Sequence, residues 1–266
     1  MLTTGAAVTV LDDGDGAELC LGALLESYPP QCGGPKLVGW DWSEWPGTYE
    51  QASDVRWGLY RVDGTYDPEA FAFTPTGVRP GATASERGGQ SRLQMFATPC
   101  AEPKGGWRVI DPARTTPETM DRVFARAARL PGYAVSWVDR SRVPSAGPDA
   151  TPEEQVAETA PSPELTVVNV RVTGDPVAAE KELREVWGGM LCVTTAEHTA
   201  AELNGIAEKI RNAASDPRVW LGVNADDLGG YVSVQVVYDD GALQRRMDAE
   251  YGAGLVLVTS SLRPVP

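Results

Sequence analysis

A chain of 266 residues, 42% of them apolar, has material for one large core or two ordinary ones and is not disordered as a whole. Its 37 acidic and 23 basic residues give a formal net charge of -14, a field that repels phosphate backbones and argues against nucleic acid as a partner. No stretch approaches the roughly 18 consecutive apolar residues of a membrane-spanning helix, so a soluble chain with no transmembrane segment is expected.

Residues 1–79 read as a small all-β domain. Ala7 to Leu11 is apolar and β-branched and runs into Asp12-Asp13-Gly14-Asp15-Gly16, a turn signal. Glu18 to Leu21 returns as a strand. Leu37 to Trp42 predicts another, with Val38, Trp40 and Trp42 at alternate positions and so on one face. Val55 to Val62 is a third strand, stopped by Asp63-Gly64, and Ala70 to Phe73 closes the set. Short strands at this spacing predict a small β-barrel, OB-like.

Residues 80–98 read as a linker, since 80–92 carry almost no apolar side chain. From 99 to 266 the pattern becomes helix and strand. Thr116 caps a helix that has Pro117 at its first position, Glu118 in its first turn and Met120, Val123, Phe124 and Ala127 on one face. Tyr133 to Val138 alternates as a strand. Residues 141–164, rich in Pro, Ala, Ser, Thr and Glu, predict an exposed, mobile loop. Leu165 to Val172 is a strand. Asp175-Pro176 opens a helix with Ala179, Leu183, Val186 and Trp187 on its apolar face, ended by Gly188-Gly189. Met190 to Val193 is a strand and Thr199 to Ala213 a helix. Trp220 to Asn224 and Tyr231 to Tyr238 form a hairpin, and a last helix, Ala242 to Tyr251, leads to the strand Leu255 to Val258. The fold class expected is α+β: the barrel, then a ferredoxin-like α/β sandwich with helices over one face of a mostly antiparallel sheet.

Four cysteines, Cys20, Cys32, Cys100 and Cys192, allow three pairings. The Pro-rich, Gly-flanked stretch from Cys20 to Cys32 favours a local disulfide, which leaves Cys100 with Cys192. Buried free thiols are the alternative. Zinc wants short Cys-Cys spacings that the chain lacks, and the one histidine, His198, lies six residues beyond Cys192.

Trp40, Trp42, Trp45, Tyr49, Trp57 and Tyr60 crowd one short region. Tryptophans on a barrel face stack on sugar rings or cap a groove; equally, such residues fill the core of a small domain. Trp40, Trp42, Trp45 and Trp57 are the candidate ligand-binding residues, with at least one of Trp40 and Trp42 expected in the core and Trp45, beside Pro46-Gly47, more exposed. The Asp12–Gly16 run departs from a calcium loop after Asp15 and reads as a hairpin turn, as does Asp226-Asp227. His198 could serve a hydrolase as base, but its place before a helix fits an entry role. No Gly-x-Ser-x-Gly element, P-loop or dinucleotide fingerprint occurs, so no catalytic residue, metal or cofactor is expected.

The runs Glu18-Leu19-Cys20-Leu21-Gly22, Glu26 to Gly34, Gly39-Trp40-Asp41-Trp42 and Trp57 to Tyr66 resemble segments of uncharacterised secreted or lipid-anchored envelope proteins of actinobacteria, as, less closely, does Tyr251 to Val256 with Leu262-Arg263-Pro264. The resemblance covers about the first third of the chain and implies export. It carries over no catalytic residue. Met1 is followed by neither a basic start nor a long apolar run, so the chain reads as cytosolic or as a mature domain freed of its export segment. The expectation is a non-enzymatic extracytoplasmic protein that binds or organises a protein or glycan of the cell envelope, secreted or anchored through a segment outside this chain; a glycan hydrolase is the alternative.

Overall fold

Val8-Thr9-Val10-Leu11 makes the strand its β-branched composition favours. A computed structural model describes residues 1–25, 27–81, 96–144, 147, 151, 153, 160–214, 216 and 219–265. In it β1 (Leu2–Thr3) and β2 (Val8–Asp12) are followed by β3 (Glu18–Leu19), β4 (Lys36–Leu37), β5 (Glu50–Ala52), β6 (Val55–Asp67) and β7 (Ala72–Pro80). The long β6 pairs antiparallel with β2 on one side and β7 on the other. β2 pairs with β3, β3 with β4, and β4 runs parallel to β7. The path β6-β2-β3-β4-β7 thus returns to β6 as a partly closed five-stranded sheet.

Two expectations fail here for local reasons. Asp63-Gly64 does not stop β6; the strand passes through with a register shift, and Gly64 is needed because a Cβ would collide with the Thr74 carbonyl and the Phe73 ring. The strand expected over Leu37 to Trp42 ends at Leu37. Gly39 turns the chain with φ 74°, and Asp41 then caps a short 3-10 helix, Trp42–Glu44, its carboxylate accepting from the Ser43 N–H at 2.8 Å.

Further on, α1 (Pro117–Ala127) begins in a capping box. The Thr116 hydroxyl accepts from the Thr119 N–H, and the Thr119 hydroxyl from the Thr116 N–H. β8 (Tyr133–Asp139) and β9 (Val167–Val172) pair antiparallel. α2 (Pro176–Arg184), capped by Asp175, crosses over to β10 (Met190–Thr195), which runs parallel to β9. After α3 (Ala200–Ala213) come β11 (Trp220–Asp226), β12 (Tyr231–Val236), α4 (Ala242–Tyr251) and β13 (Val256–Ser260), with β12 and β13 parallel. The strands expected in one mostly antiparallel sheet therefore form two three-stranded sheets, β10-β9-β8 and β11-β12-β13. Each holds a parallel pair, because a helix of several turns between two strands brings the second back in the same direction.

The order helix, strand, strand, helix, strand thus occurs twice, and the residues follow it. Val168, Val170 and Val172 correspond in spacing to Val232, Val234 and Val236; Asp175 corresponds to Asp239, Leu183 to Met247, Trp187 to Tyr251 and Gly188 to Gly252. The registers agree as well, Leu191 lying opposite Val168 and Val256 opposite Val232. All six valines are buried, as are Leu183 and Met247.

The chain divides into two compact units that do not follow its order. One comprises the described parts of 1–88, 206–224 and 231–266, the other those of 89–205 with 225–230. In the first, Val237 and Leu262 join Val10, Leu19, Tyr60 and Phe73 in a single core, and β14 (Arg263–Pro264) pairs with β1. In the second, Val123 and Ala127 of α1, Leu183 and Trp187 pack with Val168 and Val170. The expected linker lies, between residues 82 and 95, outside the described residues, as does most of the expected loop between 145 and 159.

Candidate functional site

The turn at Gly39 and the short helix after it decide where the tryptophans go. Because Trp40, Trp42 and Trp45 do not share a strand, they gather in three dimensions around Tyr60, which is fully buried on β6. Trp40 meets Trp42 edge-on at 5.4 Å and Tyr60 at 5.0 Å, and Trp45 meets Tyr60 at 5.7 Å. Trp40 and Trp45 stack almost parallel, 18° apart with centroids 5.8 Å distant. The Tyr60 hydroxyl is tied to Thr48 at 2.9 Å.

Trp42 belongs to the core: it is 5% exposed, and its indole N–H donates to Asp12 Oδ2 at 2.9 Å. Burial by itself would raise the Asp12 carboxyl. The Gly14 N–H, the Trp42 indole, the Gly16 N–H and the charge of Arg56 outweigh it and hold the group below the ordinary aspartate value. Trp40 and Trp45 are half-buried and line a cleft of about 230 Å³ with Asp41, Glu44 and the β7 residues Pro75 to Val78. Trp57 is apart from this pair. It is half-buried, meets Tyr28 edge-on at 5.4 Å, and shares with Tyr49, Glu50 and Leu59 a second cleft of about 410 Å³.

In chemical terms the first cleft sets indole surface of the stacked Trp40–Trp45 pair beside two carboxylate acceptors. Asp41 is exposed, and hydrogen bonds from the Ser43 N–H and hydroxyl hold its carboxyl below the ordinary value, so it is charged at neutral pH. Glu44 is exposed and makes no ion pair among the described residues. The Trp40 Nε1 is shielded and donates to no group among the described residues.

The other candidates sit in structural roles. In the Asp12–Gly16 turn the carboxylates face their own backbone: Asp12 accepts from the Gly14 N–H at 3.0 Å and Asp13 from the Asp15 N–H at 3.3 Å. Asp226 accepts likewise from the Gly229 N–H. His198 is half-buried at the head of α3, beside the Thr199–Glu202 capping pair, and lines neither cleft. No group of three His, Cys, Asp or Glu among the described residues could hold a metal ion. Cys20 is bonded to Cys32 and Cys100 to Cys192, with Cα separations of 5.7 and 5.9 Å. No helix among the described residues is long and apolar enough to cross a membrane.

Asp41, Glu44 and the β7 wall escaped the sequence reading. The signal for the first two was Asp41-Trp42-Ser43-Glu44, a capping sequence hidden by the apparent alternation of Val38, Trp40 and Trp42. Compared with known families and with curated proteins, the chain matches none.

Proposed function

We propose that the chain is a non-enzymatic, extracytoplasmic binding protein of a bacterial envelope, whose Trp40–Trp45 cleft takes a sugar ring of an envelope glycan. The observation that carries this reading is the parallel indole pair walling an open cleft with Asp41 and Glu44 beside it. The C–H face of a pyranose packs on an indole face, and its hydroxyls donate to carboxylates. Two disulfides fit an oxidising, extracytoplasmic compartment, with the protein secreted or anchored to the membrane. On the same reading the partly closed five-stranded sheet is an OB-like barrel, and the helix–strand–strand–helix–strand segments are ferredoxin-like halves.

Co-sedimentation with purified, insoluble cell-wall glycan tests it. The protein should pellet with the glycan, and Trp45→Ala should weaken retention by ten-fold or more, while Trp57→Ala leaves it within two-fold. Retention unchanged in Trp40→Ala and Trp45→Ala overturns the site. Release of soluble reducing ends by the wild-type protein overturns the non-enzymatic reading and favours a glycan hydrolase.

A further inference from the structure

We infer a second binding site, in the unit formed by 89–205 with 225–230, for an anion carried on an apolar body. The segment from Cys100 to Ile110 is fastened at both ends. Cys100 is bonded to Cys192 of β10, and the Ile110 and Asp111 N–H groups both donate to the Gly188 carbonyl, at 2.8 and 3.1 Å. Between these ties the segment lines, together with Met190 to Val193 of β10, a cleft of about 710 Å³, within the usual size range of small-molecule sites. One wall is apolar: Trp107 packs on the cluster of Val167, Met190 and Cys192, Val193 adds its side chain, and Ile110 is 66% exposed at the opening.

The remaining lining is cationic in a chain of net charge -14. Arg184, Lys104 and Arg108 face the cleft against one carboxylate, Glu180. Glu180 is already matched by Arg184, whose Nε lies 3.3 Å from it and whose Nη1 donates to the Gly189 carbonyl at 2.6 Å. The nearby Glu102 accepts from the Trp107 N–H at 3.4 Å and is not part of the lining. Lys104 and Arg108 are exposed and form no ion pair among the described residues, so the cleft keeps two uncompensated positive charges beside an uncovered isoleucine. A carboxylate or phosphate would answer the charges, and a hydrocarbon portion would cover Ile110 and the Trp107 wall.

Calorimetric titration of the full chain with dodecanoate, dodecyl phosphate and dodecanol, all below their aggregation limits, decides the matter. At least one anion should bind saturably with one site per chain, and dodecanol at least ten-fold more weakly. Tighter binding of dodecanoate would mark a carboxylate ligand, and tighter binding of dodecyl phosphate a phosphate headgroup. Lys104→Gln with Arg108→Gln, both at exposed positions, should weaken the preferred anion ten-fold or more while leaving the thermal midpoint within a degree or two. Ile110→Ser should weaken it several-fold, and Trp45→Ala should leave it unchanged. Equal affinity for dodecanol, unchanged affinity in the double variant, or no saturable binding of either anion would overturn the site.

Discussion

Trp187 in the first helix–strand–strand–helix–strand segment is fully buried with Val168, Val170 and Leu183, a core drawn from neighbouring stretches of chain. The corresponding residue in the second segment, Tyr251, is half-buried. That segment instead sends Val237, at the end of β12, and Leu262, after β13, into the core of the five-stranded sheet. The Ser261 N–H donates to Val236 O and the Leu262 N–H to Val237 O, holding the strand end and the loop together as they enter it. One pattern of valines, with an aspartate ahead of the helix and a glycine beyond it, therefore serves two ends. The first copy draws the core around Trp187 from its own residues; the second completes a core begun at the other end of the chain.

The largest effect expected from this contrast concerns the disulfides. Cys192 on β10 corresponds to Leu257 on β13, which is 38% exposed, so the second segment has no counterpart to this bond. Cys100–Cys192 spans 92 residues against 12 for Cys20–Cys32. In the chain-entropy model, removing the longer bond with paired serine substitutions costs roughly 4–5 kcal/mol and removing the shorter one about 3 kcal/mol. Guanidinium unfolding of the two double variants checks the order; a greater loss from Cys20→Ser with Cys32→Ser would contradict it.

Next comes the aromatic position itself. Trp187→Ala should cost about 3–5 kcal/mol, and Tyr251→Ala less than half as much, because only the first ring is fully enclosed. Equal losses in urea unfolding would remove the asymmetry between the two segments. Leu262→Ala tests the borrowed core and should cost roughly 2–4 kcal/mol. The change should disturb the near-ultraviolet signal of the Trp42–Tyr60 cluster, although residue 262 lies near the far end of the chain from it.

Much of the local structure was legible from sequence. The even cysteine count and the Pro-rich stretch gave the pairing; Thr116 and Asp175 marked helix starts; Val168, Val170 and Val172 marked a strand. What could not be read was non-local. The arrival of Val237 and Leu262 in the core of the five-stranded sheet leaves no trace in their neighbours, which look like an ordinary strand end and loop. The repeat was masked because a long polar stretch separates β8 from β9, whereas a short turn joins β11 to β12. At the candidate site, alternation of Val38, Trp40 and Trp42 imitated a strand, and the conformation of Gly39 together with the Asp41 cap prevailed over it.

The smallest effect is one of pH. Asp12 has its carboxyl held below the ordinary value, so its contribution is complete above the unfolded aspartate pKa of about 3.9 and is lost as pH falls through the lower folded value. Asp12→Asn should be less stable than the wild type at pH 7, by about 1 kcal/mol or less, and the gap should close in acid. Thermal midpoints measured from pH 7 down to pH 3 check the sign; a gap that widens on acidification would contradict it.

The glycan reading is tested most directly by watching the indoles themselves. The chain has eight tryptophans, each with one indole N–H signal in a nitrogen-correlated proton spectrum. On titration with soluble cell-wall oligosaccharides, the Trp40 and Trp45 signals should shift together and saturate, while that of buried Trp187 stays in place. Saturable binding with both of those signals unmoved, or no binding by any oligosaccharide tried, would contradict the assignment of the site.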